Sequence, residues 1–205
     1  MNLRRSQKSM QSIPEIQTPR LNLKEITPDD YKRVLAIFSD PMVVKFYDIQ
    51  PITDKTEALR LIEGFAAWFK LGEAIRWGIW HLETNQLIGT CCFDQIHPKF
   101  RRVNLGYNLA TKFWGHGYAS EACGAIIELA FKEGLATDVN RIQAITIPEN
   151  TKSEMVLKRL GFQCEGLLRE YAYWEDRPWD MNMFCLTKSD WKSKPKIEND
   201  QSQKG

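Results

Sequence analysis

The sequence predicts a single α/β (α+β) domain, a mixed sheet with helices on both faces. Three observations carry that prediction. Alternating runs at 75–82, 87–93 and 103–109, joined by short turns, read as an antiparallel meander. Ala119, Ala122, Cys123, Ile126, Ile127, Ala130 and Phe131 form one stripe at helical spacing. A late strand–helix–strand–helix series places parallel strands side by side.

Leu21 and Leu23 alternate with Asn22 and Lys24, a strand pattern. Thr27-Pro28-Asp29-Asp30 is a helix start, since Thr caps, Pro suits the first helical position and Asp suits the first turn. Val34, Leu35, Ile37 and Phe38 are its apolar face, and Asp40-Pro41 ends it. A second helix opens at Thr53-Asp54, carries Ala58, Ile62, Phe65 and Phe69 on one side, and closes at Gly72. The meander follows, turning at Glu83-Thr84-Asn85. The striped helix ends at Gly134, a strand covers 141–147, and a helix runs from Asn150 to Gly161. Strands at 162–173 and 179–186 finish the domain, which spans 18–191. Residues 1–17 and 192–205 are polar and unpatterned and read as flexible tails.

Composition narrows the function. The chain of 205 residues is 43% hydrophobic and 26% charged, an ordinary globular balance. Its net charge of +2 sits on the ends: Arg4, Arg5 and Lys8 face Glu15, and five lysines face three acids over 188–205. The folded part is left slightly acidic, which argues against nucleic acid or an anionic membrane as direct partner. The longest stretch free of Asp, Glu, Lys and Arg is 84–93, far short of the ~20 residues that span hydrocarbon. Cys91, Cys92, Cys123, Cys164 and Cys185 are odd in number and lack C-x-x-C spacing, so reduced thiols and a cytoplasmic location are expected. His81, His97 and His116 are scattered, and no metal site is expected.

The chemistry concentrates after the meander, in Lys112-Phe113-Trp114-Gly115-His116-Gly117-Tyr118-Ala119-Ser120-Glu121. A strand ends near Ala110, two glycines follow, and a helix begins. A helix N-terminus leaves backbone N–H groups without partners and carries partial positive charge. Glycines there let a phosphate approach the main chain. A turn that only changes direction would also use glycines. A P-loop string is absent, and Ser120 stands where a dinucleotide fingerprint needs its third glycine.

Asn104-Leu105-Gly106-Tyr107-Asn108-Leu109 followed by Phe113-Trp114-Gly115-His116-Gly117-Tyr118-Ala119-Ser120-Glu121-Ala122 resembles the acetyl-coenzyme A signature of the GNAT superfamily. With Asn150-Thr151-Lys152-Ser153, Leu160-Gly161-Phe162, Glu165-Gly166 and Trp179-Asp180, the chain more narrowly resembles the ribosomal-protein (alanine/serine) N-terminal acetyltransferases. The resemblance implies a central splayed mixed sheet of about seven strands flanked by about four helices. It implies acetyl-CoA as donor, with its diphosphate on the N–H groups of Gly115, His116, Gly117, Tyr118 and Ala119 and on the Ser120 hydroxyl. It places the pantetheine arm along Leu109, Ala110 and Thr111, with Asn150 opposite. Three positions depart from the family: Lys112 replaces a Gln or Arg, and Asn104 and Ala172 stand where relatives carry a Glu base.

Transfer of acetyl to an amine needs a neutral amine, a stabilised oxyanion and a protonated leaving thiolate. An α-amine, with a pKa of about 8, is partly neutral at neutral pH, whereas lysine, at about 10.4, is not. The missing Glu therefore suits an α-amine acceptor, with Glu170, Asp94 or Asp180 as a base acting through water. Ser153, where relatives place a Ser, is the candidate proton donor to the thiolate; it also suits the third position of a helix capped by Asn150. The expected partners are acetyl-CoA and a protein N-terminus, as in a ribosomal protein, or a small amine, acted on by a monomer or homodimer. A fold that binds coenzyme A without transfer is the rival class. Trp68, Trp77, Trp80, Tyr171, Tyr173 and Trp174 are candidates to wall the acceptor groove or to fill core.

Overall fold

The structure, a computed structural model, describes residues 10–135 and 137–193. Its first helical segment starts as the local chemistry dictates. Asp30 Oδ2 accepts from the Thr27 N–H at 3.0 Å and from its hydroxyl at 3.1 Å, over a 3-10 turn at Pro28–Asp30. Helix α1 (Tyr31–Phe38) then buries Val34, Ile37 and Phe38. Asp40-Pro41 does end α1, but it also opens a short helix, α2 (Pro41–Val44), because Asp40 Oδ1 accepts the Met42 N–H at 2.9 Å. Helix α3 (Lys55–Leu71) is capped by Asp54 and closes on left-handed Gly72.

Eight strands form one sheet: β1 (Ile16–Gln17), β2 (Leu21–Lys24), β3 (Ile75–His81), β4 (Gln86–His97), β5 (Arg102–Leu109), β6 (Arg141–Thr146), β7 (Gln163–Trp174) and β8 (Arg177–Thr187). Their order is β1-β2-β3-β4-β5-β6-β8-β7. Helices α4 (Tyr118–Lys132), α5 (Thr151–Leu160) and α6 (Lys188–Ser193) complete the chain. The eighth strand beyond the expected seven is β1, inside the stretch read as a tail. Ile16 pairs with Leu23, Ile13 and Ile16 pack on the core, and Trp77 Nε1 donates to the Pro14 carbonyl at 2.8 Å. The helices beyond the expected four are α2 and α6, each about one turn of local capping chemistry. Residues 1–9 and 194–205 of the expected tails lie outside the described residues.

Helices α4 and α5 cover one face through Ala122, Ile126, Phe131 and Leu157. Helices α1 to α3 cover the other through Val34, Phe38, Ile62 and Phe65. The parallel pair is β5–β6, joined by the α4 crossover. The expected second parallel neighbour does not form, because β8 folds back between β6 and β7.

The feature that positions the site is where β5 and β6 stop pairing. They pair at Arg102↔Arg141, Val103↔Ile142 and Asn104↔Gln143, and no further. Beyond that, β5 stays with β4 as far as Leu109, and β6 stays with β8 as far as Thr146. The sheet is therefore split into a V whose walls are the second half of β5 and the second half of β6.

The segment leading into β2 is tied to α4 by Glu121. Its carboxylate accepts from Thr18 Oγ1 at 2.6 Å, Arg20 N–H at 2.9 Å and Arg20 Nε at 2.7 Å. Burial alone would raise the Glu121 pKa, but the Thr18 and Arg20 hydrogen bonds outweigh it and hold the carboxyl below its ordinary value. A depressed folded pKa means stability that is present above the unfolded value and lost as pH falls through the folded one. Glu121→Gln is expected to lower stability by about 1–2 kcal/mol at pH 7. That deficit shrinks in acid, as urea unfolding followed by circular dichroism at the two pH values will read.

Candidate active site

The V opens into a cavity of about 640 Å³. The β5–α4 turn forms one wall. Gly115 and Gly117 both sit at φ 81, a left-handed conformation that costs a residue with a side chain about 1–2 kcal/mol. Gly117 is the N-cap of α4 and contributes no capping side chain. Helix α4 has 15 residues, so its dipole points a full-length N-terminus at the cavity. Ser120 Oγ lies in the same wall, buried and without a hydrogen-bond partner. Glu121, the acid of this first turn, is turned away to Thr18 and Arg20. Lys45, Lys152 and Arg159 line the cavity against one acid, Glu149. A buried hydroxyl lacking a partner, uncapped N–H groups and a basic rim fit a phosphate-bearing ligand.

Arg20 braces this turn from behind. Its Nη1 donates to the His116 carbonyl at 3.1 Å, and its guanidinium lies 4.5 Å from the Tyr118 ring centre. The sequence carries no local sign of this contact, which joins residues nearly a hundred positions apart.

The β5 wall presents main chain. The Tyr107 carbonyl accepts from Tyr47 Oη at 2.5 Å, and the Leu109 carbonyl accepts from Trp114 Nε1 at 2.7 Å. Tyr47 and Trp114 both line the cavity, so these carbonyls face it, and strand alternation points the N–H groups of the same residues the same way.

Across the cavity, Asn150 caps α5 by accepting the Ser153 N–H at 3.2 Å. Ser153 Oγ is 2.8 Å from Tyr107 Oη, which also donates to the Ser153 carbonyl at 3.2 Å. Burial pushes the Tyr107 phenol well above its usual range, so it stays protonated as a donor. The sequence shows Tyr107 as a strand residue inside the resembled signature and gives its hydroxyl no role. Its partner lies 46 positions away.

The cavity wall brings together Leu109, Gly115, Gly117, Tyr118, Ala119, Ser120, Asn150 and Ser153. Ala110, Thr111, His116 and Glu170 are not among the lining residues. The Ala110 N–H goes to Ile88, the Thr111 hydroxyl to Asp40 at 3.0 Å, and the His116 carbonyl to Arg20. Glu170 sits on an irregular stretch of β7 at φ 51, exposed, with its N–H on Asp180 Oδ1 at 2.7 Å. The cavity wall does not include it, because β8 separates β7 from the V. Among the aromatic candidates, Trp77 and Trp80 are core, Trp68, Tyr171 and Tyr173 are exposed, and Trp174 stacks on Trp179. Tyr47, Phe113, Trp114 and Tyr118 line the cavity instead. Among the described residues, no cluster of His, Cys, Asp or Glu could hold a metal, and no helix is long and apolar enough to cross a membrane.

The sheet thus splits beyond its β5–β6 parallel pair, with a glycine turn that fits an anion on one wall and Ser153 on the other. The chain belongs to the GNAT acetyltransferases: the family model described as "Acetyltransferase (GNAT) domain" matches residues 20–163. It is 34% identical to the uncharacterized N-acetyltransferase YoaA of Bacillus subtilis (strain 168), over 86% of this chain and 98% of that one. It is 30% identical to the ribosomal protein uS5 alanine N-acetyltransferase of Escherichia coli (strain K12), over 60% of this chain and 62% of that one. Among solved structures, RimL, a ribosomal L7/L12 α-N-protein acetyltransferase in complex with coenzyme A, superposes with a TM-score of 0.75 at 22% identity, covering 85% of this chain and 98% of that one. The protein is thus an acetyltransferase of GNAT type.

Proposed function

We propose that this enzyme moves an acetyl group from acetyl-CoA to the α-amine of a protein N-terminus, such as that of a ribosomal protein, in the cytoplasm. The observation that carries the donor site is the uncapped start of α4 with the unpartnered Ser120 hydroxyl beside it. The N–H groups around Gly115, Gly117, Tyr118 and Ala119, with Ser120 Oγ, bind the donor's diphosphate. Lys152, whose Nζ lies 4.7 Å from the Trp114 ring centre at the rim, adds positive charge. Acetyl-CoA supplies a thioester carbonyl open to attack by an amine. The β5 main chain near Leu109 lies along the pantetheine arm and offers an N–H to the carbonyl oxygen. Ser153 gives the leaving sulfur its proton, and Tyr107, hydrogen-bonded to Ser153, replaces it.

Support for an α-amine acceptor comes from the relatives that act on ribosomal-protein N-termini and from the amine's low intrinsic pKa. The free cysteines among the described residues support a reducing compartment.

The test is a panel of short peptides read by mass spectrometry. Peptides with a free N-terminus are expected to gain one acetyl group at that terminus. Their blocked counterparts, with an internal lysine, are expected to stay unmodified. Faster reaction of blocked peptides or of free polyamines would overturn the α-amine assignment and favour a small-amine acceptor.

A further inference from the structure

We propose that Asp94 is the base that takes the proton from the acceptor amine, on the face of the sheet opposite Ser153. The inference rests on the transferase reading above and names the group that reading leaves open.

Asp94 lies in β4 directly across from Asn104, and Asn104 pairs in turn with Gln143 of β6. That row is the last one before the sheet splits, so Asp94 stands level with the apex of the V. Asp94 Oδ2 is 3.8 Å from the point where a Cβ on Gly106 would be. Gly106 precedes Tyr107, whose carbonyl edges the cavity. Gly106 itself sets no side chain beside the carboxylate.

The cavity also reaches this face. Thr90, Cys92 and Asp94 alternate onto one side of β4, and their partners Asn108, Gly106 and Asn104 onto the same side of β5. Tyr47 lines the cavity, crosses to the Tyr107 carbonyl, and feels Arg76, Cys92 and Asn108 on this face. Asn108 of this row lines the cavity, while Asp94, at the far end of the row, is not among the lining residues, so an amine entering past Tyr47 reaches it along the row.

The surroundings suit a base. Strand β3 contributes Arg76, whose Nη1 donates to Thr90 Oγ1 at 2.8 Å and whose guanidinium lies 4.7 Å from the Phe65 ring of α3. Strand β4 contributes Cys92, with Sγ 3.9 Å from Asp94 Oδ2. Strand β5 contributes Asn104 and, two residues earlier, Arg102, which donates to Gln143 of β6 at 3.0 Å. Burial raises the carboxyl's pKa, while Arg76 and the Asn104 hydrogen bond pull it part of the way back. A carboxylate raised toward the working pH is a better proton acceptor than a surface aspartate.

The step balances. The ammonium gives one proton to Asp94, and its freed lone pair forms the new C–N bond as the C–S bond breaks. The sulfur takes a proton from Ser153. Asp94 passes the first proton to water and takes the second from the nitrogen, while Ser153 recovers a proton from water through Tyr107, so that one proton in net is released.

The experiment compares wild type, Asp94→Asn and Asp94→Glu of the full chain, using coenzyme A thiol release on a reactive free-N-terminal peptide. Asp94→Asn is expected to lower kcat about 100-fold at neutral pH. Its acetyl-CoA Kd by calorimetry should stay at the wild-type value, and its rate should climb only as pH approaches the amine's own pKa. Asp94→Glu is expected to recover part of kcat. In wild type, the acid limb of the pH–rate profile should keep its position for two peptides whose α-amines differ in pKa. That arm decides the matter even if Asp94→Asn does not fold. An Asp94→Asn variant with wild-type kcat and profile, or an acid limb that moves with the acceptor, overturns the assignment of Asp94 alone. A wild type that releases no thiol with any amine overturns the transferase reading beneath it.

Discussion

Replacing Gly117 by Asp is expected to raise the Kd for acetyl-CoA about 100-fold, or roughly 2.7 kcal/mol. Two effects combine. The position sits at φ 81, where a side chain strains the turn. The new carboxylate also stands at the start of α4, where a Cβ would be 3.5 Å from Arg20 Nη2. A negative group there, beside Arg20 and the helix N-terminus, offsets the positive field that holds the diphosphate and repels it. Gly117→Ala separates the two effects, because it brings strain without charge and is expected to cost only about 3- to 10-fold. Calorimetry on both variants reads the difference. Wild-type affinity in Gly117→Asp would mean that the turn does not bind the anion.

The second large effect falls on turnover. Ser153→Ala is expected to lower kcat by about 10- to 100-fold with little change in acetyl-CoA affinity. The helix survives the change, since the Asn150 cap is made to the Ser153 N–H and not to its hydroxyl. Tyr107→Phe should resemble it, because the two hydroxyls are 2.8 Å apart and act as one unit. The double variant should then cost about as much as either single one, a non-additivity expected of coupled groups. Thiol-release kinetics on the four proteins give the answer. Independent, multiplicative losses would separate Tyr107 from the proton path.

What the sequence made legible is what short-range chemistry controls. The stripe from Ala119 to Phe131 is helix α4, and Leu21 and Leu23 are buried in β2. Asn150 and Gly161 bound α5 as their capping chemistry implies. The glycine turn is legible for the same reason, because left-handed φ values leave few residue choices. Strand β1 is not, since two residues are too short to show a period. The contacts that shape the site are long-range. Arg20 reaches Glu121 and His116, and Tyr107 reaches Ser153, with nothing local to announce either. Glu170 shows the converse. Expected as a base acting through water, it lies on β7, and only the return of β8 to the β6 edge reveals that β7 is remote from the V.

All of this chemistry depends on main-chain donors at the start of α4 holding the diphosphate. A crystal structure of the chain grown with saturating coenzyme A tests that directly. The diphosphate oxygens are expected within hydrogen-bond distance of the N–H groups of residues 115–119, with Ser120 Oγ finding its partner there. A diphosphate seated elsewhere, or coenzyme A bound while this turn stays free of phosphate, would contradict it.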